Sequence, residues 1–220
     1  MGSHRGHVAV RRKKWNFSRQ NPECKYRAMS NGLIDGDDDL LRRIARGDEM
    51  AFLTFYRRHQ GPVYRFALQM SGRSEIAEEV TQDVFMVVMR SPKQYDSRRG
   101  SVAAYLYGVA RNFVLRRLEQ DRPYLAALDD PDSGHAQLAA TGHDPLSDLT
   151  RNERVESLRR AVLALPTAYR EVVVLCDLHE MDYADAAAAL QCAIGTVRSR
   201  LHRARALLAE KMRAEERCAV

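Results

Sequence analysis

Apolar residues along this chain recur at spacings of three and four, the period of a helix with one buried face, and strand-like alternation is scarce. The pattern predicts an all-α protein. Leu40, Leu41, Ile44 and Ala45 form a first stripe behind Asp37, Asp38 and Asp39, whose charges suit a helix N-terminus; Gly47 and Asp48 stop it. Ala51, Phe52, Phe55 and Tyr56 make a second helical face. Pro62 suits the first turn of a separate helix carrying Val63, Phe66, Ala67 and Met70, closed by Gly72. Ile76, Val80, Val84 and Val87 predict a helix over 75–90, and Val102, Leu106, Val109 and Phe113 another over 102–119.

Periodicity then fades. From Asp121 to Leu149 the chain is rich in Pro, Gly, Asp and Ala, and Asp129, Asp130, Asp132, Asp144 and Asp148 stand against Arg122. Such a stretch reads as a flexible acidic linker. Helical pattern returns near Thr150, with Val155, Leu158, Val162 and Leu165 as its stripe and Pro166 as its break. Helices are expected over Tyr169–Leu178 and, capped by Asp182, over Tyr183–Leu190. A last helix starts near Gly195, with Thr196 as its N-cap and Val197, Leu201, Ala204 and Leu208 facing inward. The expected organisation is a basic disordered tail (1–36), a helical domain (37–120), the linker (121–149), a second helical domain (150–213) and a short tail (214–220).

Three outer faces carry candidate chemistry. Residues 183–208 spell a short helix, a tight turn at Gln191-Cys192-Ala193, and a helix bearing Arg198, Ser199, Arg200, His202 and Arg203, with Thr196 and Arg205 at its flanks. Four arginines lie between positions 198 and 205 with no acidic residue among them, whereas a solvated helix face normally interleaves carboxylates one turn away. That is the layout of a helix-turn-helix whose second helix enters a DNA major groove, with arginines reaching phosphates or guanine acceptor edges. Glu78, Glu79, Gln82 and Asp83 give helix 75–90 an acidic outer face, which fits a basic docking partner or plain solvation. Tyr105, Arg111, Asn112, Arg116 and Arg117 line helix 102–119, and interleaved aromatic, amide and guanidinium groups suit unpaired bases.

Charge changes the picture less than it first suggests. The 220-residue chain has a net charge of +6, but residues 1–28 hold eight Lys/Arg against Glu23 alone, so the remainder is close to −1. Nucleic-acid binding by the folded part therefore rests on local pattern. Met29 is a second candidate start, and a basic arm touching DNA backbone is one reading of the tail. Cys24, Cys176, Cys192 and Cys218 have no metal spacing, so free thiols in a reducing compartment are expected. No apolar run spans a membrane, and the basic N-terminus has no apolar core behind it, so a cytoplasmic protein is expected. No nucleophile–base pair, phosphate-cradling glycine loop or metal-spaced His/Cys set stands out. No catalytic residue, cofactor or metal is expected, and the chain does not read as an enzyme.

With these faces in hand, the chain resembles an extracytoplasmic-function (group IV) sigma factor of bacterial RNA polymerase. AFLTFYRRHQGPVYRFA resembles the start of sigma domain 2, AEEVTQDVF its polymerase-binding helix, and YDSRRGSVAAYLYGVARN its promoter-melting segment. ALPTAYREVVVLCDLHEMDYADAAAAL and GTVRSRLHRARALL resemble sigma domain 4. The resemblance implies two small helical domains with core RNA polymerase as partner, through its β′ clamp helices and β flap, and promoter DNA, both double- and single-stranded. Glu78, Glu79, Gln82 and Asp83 would face the clamp helices. Arg98, Arg99, Ser101, Tyr105, Arg111 and Asn112 would engage the melted minus-ten strand, holding a flipped base by stacking and edge hydrogen bonds. Thr196, Arg198, Ser199, Arg200, His202 and Arg203 would read the minus-thirty-five duplex. The linker would thread toward polymerase channels where its charge mimics RNA, and an anti-sigma protein is a further implied partner. A stand-alone LuxR-like regulator shares the helix-turn-helix but leaves AEEVTQDVF and RGSVAAYLY unexplained.

Three positions depart from the family pattern. Tyr105 stands where Trp is usual, Ala186-Ala187-Ala188 lacks the usual acidic residue, and Gln191 takes a turn position where Gly is common. The last predicts a left-handed backbone at a residue that disfavours it.

Overall fold

The computed structural model describes residues 36–127 and 145–218, with side chains over 36–120 and 154–213. The basic tail and the middle of the acidic linker lie outside the described residues. The described residues form eight α-helices: α1 (Asp37–Ile44), α2 (Glu49–Ser71), α3 (Ser74–Arg90), α4 (Val102–Ala127), α5 (Pro145–Leu163), α6 (Thr167–Val173), α7 (Tyr183–Leu190) and α8 (Ile194–Cys218). Helices α1–α4 pack into one bundle and α5–α8 into a second. Both ends of the predicted linker are helical, since α4 runs on to Ala127 and α5 starts at Pro145. Helix α8 likewise continues through most of the predicted C-terminal tail.

The first bundle follows from its stripes. Asp48 caps α2 by accepting from the N–H groups of Met50 and Ala51, both at 3.0 Å. Those bonds, with the Arg43 guanidinium beside it, hold the Asp48 carboxyl below its usual range. Pro62 does not open a new helix: α2 is continuous through it. Ala51, Phe55, Val63, Phe66, Ala67 and Met70 lie along one buried face that spans the proline, and each large side chain there contributes about 1.5–3 kcal/mol of burial. That outweighs the cost of an interior proline, about 3 kcal/mol. Gly61 precedes the ring and removes the Cβ clash that normally turns the preceding residue out of a helix. Phe52, Tyr56 and Phe85 close one end, with the Tyr56 and Phe85 rings 4.8 Å apart and edge to face.

Helix α3 buries Val88 where the sequence pattern points to Val87, because it packs on both α2 and α4 and its apolar stripe is correspondingly wide. Helix α4 departs further. It buries Ala104, Tyr107, Ala110 and Val114 along with Val102 and Leu106, while Val109 and Phe113 are only half-buried. It is packed on two sides, by its own bundle and by α7.

In the second bundle α6 runs into a π-helical turn, Val174–Leu178. Val162, Leu165, Val172 to Leu175, Val197, Leu201 and Ala204 make the core, with Leu208 packed against it. Val155 and Leu158, expected inside, are exposed on α5. Asp182 caps α7 as predicted, accepting from Asp185 N at 2.8 Å. Gln191 sits at φ 52°, ψ 45°. Its N–H bonds to Ala188 O at 3.2 Å and that of Cys192 to Ala187 O at 3.0 Å, the Schellman closure of a helix end.

The two bundles touch through polar groups as well as surface. Arg170 donates from Nη1 to Met70 O at 2.6 Å and from Nη2 to Leu165 O at 3.2 Å, tying α6 to the end of α2. Gly72 ends α2 at φ 74°, and a Cβ there would come within 2.8 Å of Leu163 Cδ1. His179 bridges the bundles, with Nδ1 2.9 Å from the Tyr107 hydroxyl and Nε2 2.8 Å from Gln69 Oε1. A neutral ring with its proton on Nε2 satisfies both contacts, and this tautomer is assigned from the network. Burial, and then Arg65, push the His179 pKa down to about 4.

Replacing Gln191 with Gly is expected to stabilise the fold by about 1 kcal/mol by relieving the left-handed backbone, read as a higher urea midpoint at unchanged slope. The His179 contact favours neutral imidazole, so its stability is full above about pH 6.5 and falls as pH drops toward 4. Thermal melts from pH 7 to 4.5 should show this loss, and His179→Asn should flatten it. An equal slope in the variant would assign the loss elsewhere, for instance to His59, which burial also pushes down.

Candidate nucleic-acid interface

The helix-turn-helix is α7, a three-residue turn and α8. Helix α8 begins at Ile194, just ahead of the expected start near Gly195, and the N–H groups of Thr196 and Val197 bond to Ala193 O. Thr196 is thus inside the first turn and does not cap it; its carbonyl accepts from Ser199 Oγ at 3.1 Å. Val197, Leu201 and Ala204 are buried, which fixes the rotation of α8. Arg198, Ser199, His202 and Arg203 are consequently exposed along one face, with Thr196 and Arg200 partly covered beside them. Arg198 lies over the Tyr183 ring at 5.7 Å. Arg205 is turned away to Asp177, with Nε to Oδ2 at 3.1 Å. No salt bridge engages Arg198, Arg200 or Arg203 among the described residues.

The second face is the segment entering α4. Asp96 caps a 3₁₀ turn, Ser97–Arg99, and also receives Arg98 Nε and Nη2 at 3.0 Å each. These bonds hold the Asp96 carboxyl below its usual range. Arg98 and Arg99 remain highly exposed. Tyr105 lies against Tyr95, ring centroids 5.7 Å apart. Burial and Asp38 push the Tyr95 phenol up to about 12. Tyr95 belongs to this face as well; it opens the segment YDSRRGSVAAYLYGVARN but was not among the residues expected to touch DNA. Gln94, Tyr95, Arg99, Ser101, Tyr105 and Asn112 line a pocket of about 350 Å³ that Ala188, Ala189 and Gln191 of the second bundle help to enclose.

Two of the predicted residues here have partners in the second bundle. Ser101 N donates to Asp185 Oδ1 at 3.1 Å, and Arg111 Nε to Glu171 Oε1 at 2.7 Å. Glu171 is 2% exposed and is one of two buried polar residues among the described ones. The sequence reading missed it, though a glutamate beside Val172, Val173 and Val174 was a legible sign of a buried charge.

The third face is on α2 and α3. Tyr56, Pro62, Tyr64, Phe85, Met86 and Met89 line an apolar groove of about 930 Å³ edged by Glu78 and Gln82. All its lining residues belong to the first bundle. Glu78, Glu79 and Gln82 are exposed, as the pattern requires. Glu79 and Asp83, however, both pair with Arg117 of α4, the latter at 3.0 Å. Two of the four residues of the acidic face are therefore engaged from within, by a single positive charge.

Comparison with known proteins follows this division. The family model for Sigma-70 region 2 matches residues 55–123, and that for Sigma-70 region 4 matches residues 155–208. The ECF RNA polymerase sigma factor SigM of Mycobacterium tuberculosis (strain H37Rv) is 33% identical over 177 residues, covering 79% of this chain and 83% of SigM. SigW of Bacillus subtilis (strain 168), another ECF sigma factor, is 26% identical over 178 residues, covering 79% and 95%. Among solved structures, CnrH in complex with the cytosolic domain of CnrY superposes with a TM-score of 0.61 at 23% identity, covering 82% of this chain and 99% of that one. The sigma factor RpoE of Bartonella quintana, solved with the anti-sigma factor NepR, gives 0.59 at 24%, covering 74% and 96%. The region 2 match accounts for the half of the chain that a stand-alone regulator leaves unexplained. Two all-helical bundles, matched in order by the two regions and by relatives over most of their length, make this chain a member of the ECF family of RNA polymerase sigma factors.

Proposed function

We propose that this sigma factor directs core RNA polymerase to its promoters through the three faces described, with residues 37–120 acting as domain 2 and 150–213 as domain 4. The observation that carries the reading is the exposed face of α8, where Arg198, Ser199, His202 and Arg203 stand clear of any carboxylate. A cationic helix face with no carboxylate partner among the described residues is held ready for phosphates and base edges. Thr196 and Arg200 flank it.

In domain 2, Arg98, Arg99, Ser101, Tyr105, Arg111 and Asn112 take the melted minus-ten strand. Tyr105 supplies the stacking surface and the guanidinium groups follow the backbone. The groove on α2 and α3 takes an apolar ridge of the polymerase β′ clamp helices, while Glu78, Glu79, Gln82 and Asp83 meet its basic residues. The flap of the β subunit is the expected partner of domain 4. Each contact alone is weak, and tethering raises their joint affinity through effective concentration. The chain itself performs no chemistry; bond making belongs to the polymerase, in the cytoplasm. An anti-sigma protein is a further partner, as in the NepR complex of the Bartonella relative.

Run-off transcription with core polymerase on a promoter library tests the reading, and new sequence-specific transcripts are expected only with this protein present. Glu78→Lys should abolish them while leaving the fold intact, because Glu78 edges the groove and has no partner in α4. Charge reversal at Asp83 is a poorer test, since it also breaks the Arg117 pair. Arg203→Ala should weaken upstream duplex binding by about 1–3 kcal/mol and relax preference at one base pair. Duplex binding without any polymerase-dependent transcript would refute the assignment.

A further inference from the structure

Domain 2 has little free positive charge where it is assigned to DNA. Arg98 and Arg99 share the Asp96 carboxylate at 3.0 and 4.0 Å, and Arg111 holds Glu171 at 2.7 Å. Residues 37–120 carry 14 Lys/Arg against 11 Asp/Glu, a net charge of +3, whereas residues 1–28 carry +7 with Glu23 as their one acid. The densest block of positive charge in the chain therefore precedes the first helix. Arg11, Arg12, Lys13 and Lys14 stand together in it, followed by Trp15 and Phe17. Cations beside aromatic rings suit nucleic acid, because phosphates take the charge and bases take the ring faces.

The attachment point of this segment is beside the strand-binding face. The chain enters the fold at Gly36, the N-cap of α1, and α1 packs on both α2 and the Pro92–Gln94 turn that leads into Tyr95. Asp38, in the first turn of α1, lies beside the Tyr95 phenol. Two of the three carboxylates at this root are already engaged. Asp37 pairs with Arg58 and with His59 Nε2 at 3.0 Å, and Asp39 pairs with Arg42 at 3.3 Å. Lys14 is 22 residues ahead of Gly36, a contour of at most about 75 Å, against ~35 Å for the 23-residue α2. We propose that residues 11–19 are a DNA-binding arm whose cations neutralise promoter phosphates flanking the minus-ten strand. The arm contributes affinity that is independent of sequence, while α8 and the α4 face select the site. The inference rests on the assignment of the α4 face to the melted strand.

The salt dependence of promoter binding by the reconstituted holoenzyme tests the arm. The full-length variant carrying Arg11→Gln, Arg12→Gln, Lys13→Gln and Lys14→Gln is compared with the parent. Each phosphate contact contributes about 0.9 to the slope of log K against log salt, so the variant's slope should be shallower by about 3–4. A chain starting at Met29 keeps every described residue and should be shallower still. Both should bind core polymerase alone as the parent does. Trp15 is the one tryptophan of the chain, so its emission in the full-length protein without polymerase should be quenched by DNA duplex of any sequence and recover in high salt. An unchanged slope overturns the arm. Weaker binding of the variants to core polymerase alone also overturns it, by assigning the segment to an acidic surface of the enzyme. Tyr105→Ala in the same holoenzyme separates the two claims. If Tyr105→Ala impairs promoter opening while the arm variants match the parent, the α4 assignment stands without the arm. If Tyr105→Ala impairs nothing, the landing site beside the minus-ten strand falls with that assignment.

Discussion

Helix α4 is buried on two sides, and most of the structure depends on that one constraint. A helix packed against its own bundle on one face and against α7 on another cannot carry bulk all round, hence glycine or alanine at positions 104, 108 and 110. The contact is not purely apolar. Glu171 is nearly inaccessible and its recorded partner is Arg111, a side chain from the other bundle. Opening a buried pair exposes both charges to water, which recovers their solvation, whereas deleting one partner in the closed state leaves the other stranded. A contact of this kind holds two bodies in one register and still lets them part.

The surfaces of the chain divide accordingly. The apolar groove of α2 and α3 and the arginine face of α8 both point away from the interbundle contact, and only the α4 face is shared. Arg117 links two of these regions, since it sits on α4 and holds Glu79 and Asp83 of α3.

Much of this was legible in the sequence. Helix period located seven of the eight helices, because a single buried face writes a clear repeat, although α4, α5 and α8 run five to eight residues past an expected end. The arginine face of α8 was legible for the same reason, since Val197, Leu201 and Ala204 fix its rotation. The misreadings share one physical origin, which is that long-range contacts leave no local period. Pro62 looked like a helix start until a continuous buried face carried α2 through it. Thr196 looked like a cap, but α8 begins at Ile194, with the Ala193 carbonyl accepting from Thr196 and Val197. The second buried face of α4 makes its stripe ambiguous, and Val109 and Phe113 were chosen over Tyr107 and Ala110. Val155 and Leu158 have the right spacing yet stay exposed on α5. Of the candidate site, residue types and order were readable; the engagement of Ser101 and Arg111 by domain 4 was not, because Asp185 and Glu171 lie 84 and 60 residues away.

The central claim is that α4 holds the two bundles in one register in the free chain. The distance between the bundles tests it most directly. Spin labels at the exposed positions Glu75 on α3 and Ala206 on α8, with the four native cysteines replaced, report that distance by pulsed electron resonance. The free protein should give one narrow, short distribution, and the protein bound to core polymerase and promoter DNA a single longer one. The same distance in both states, or a broad spread in the free chain, would contradict the account.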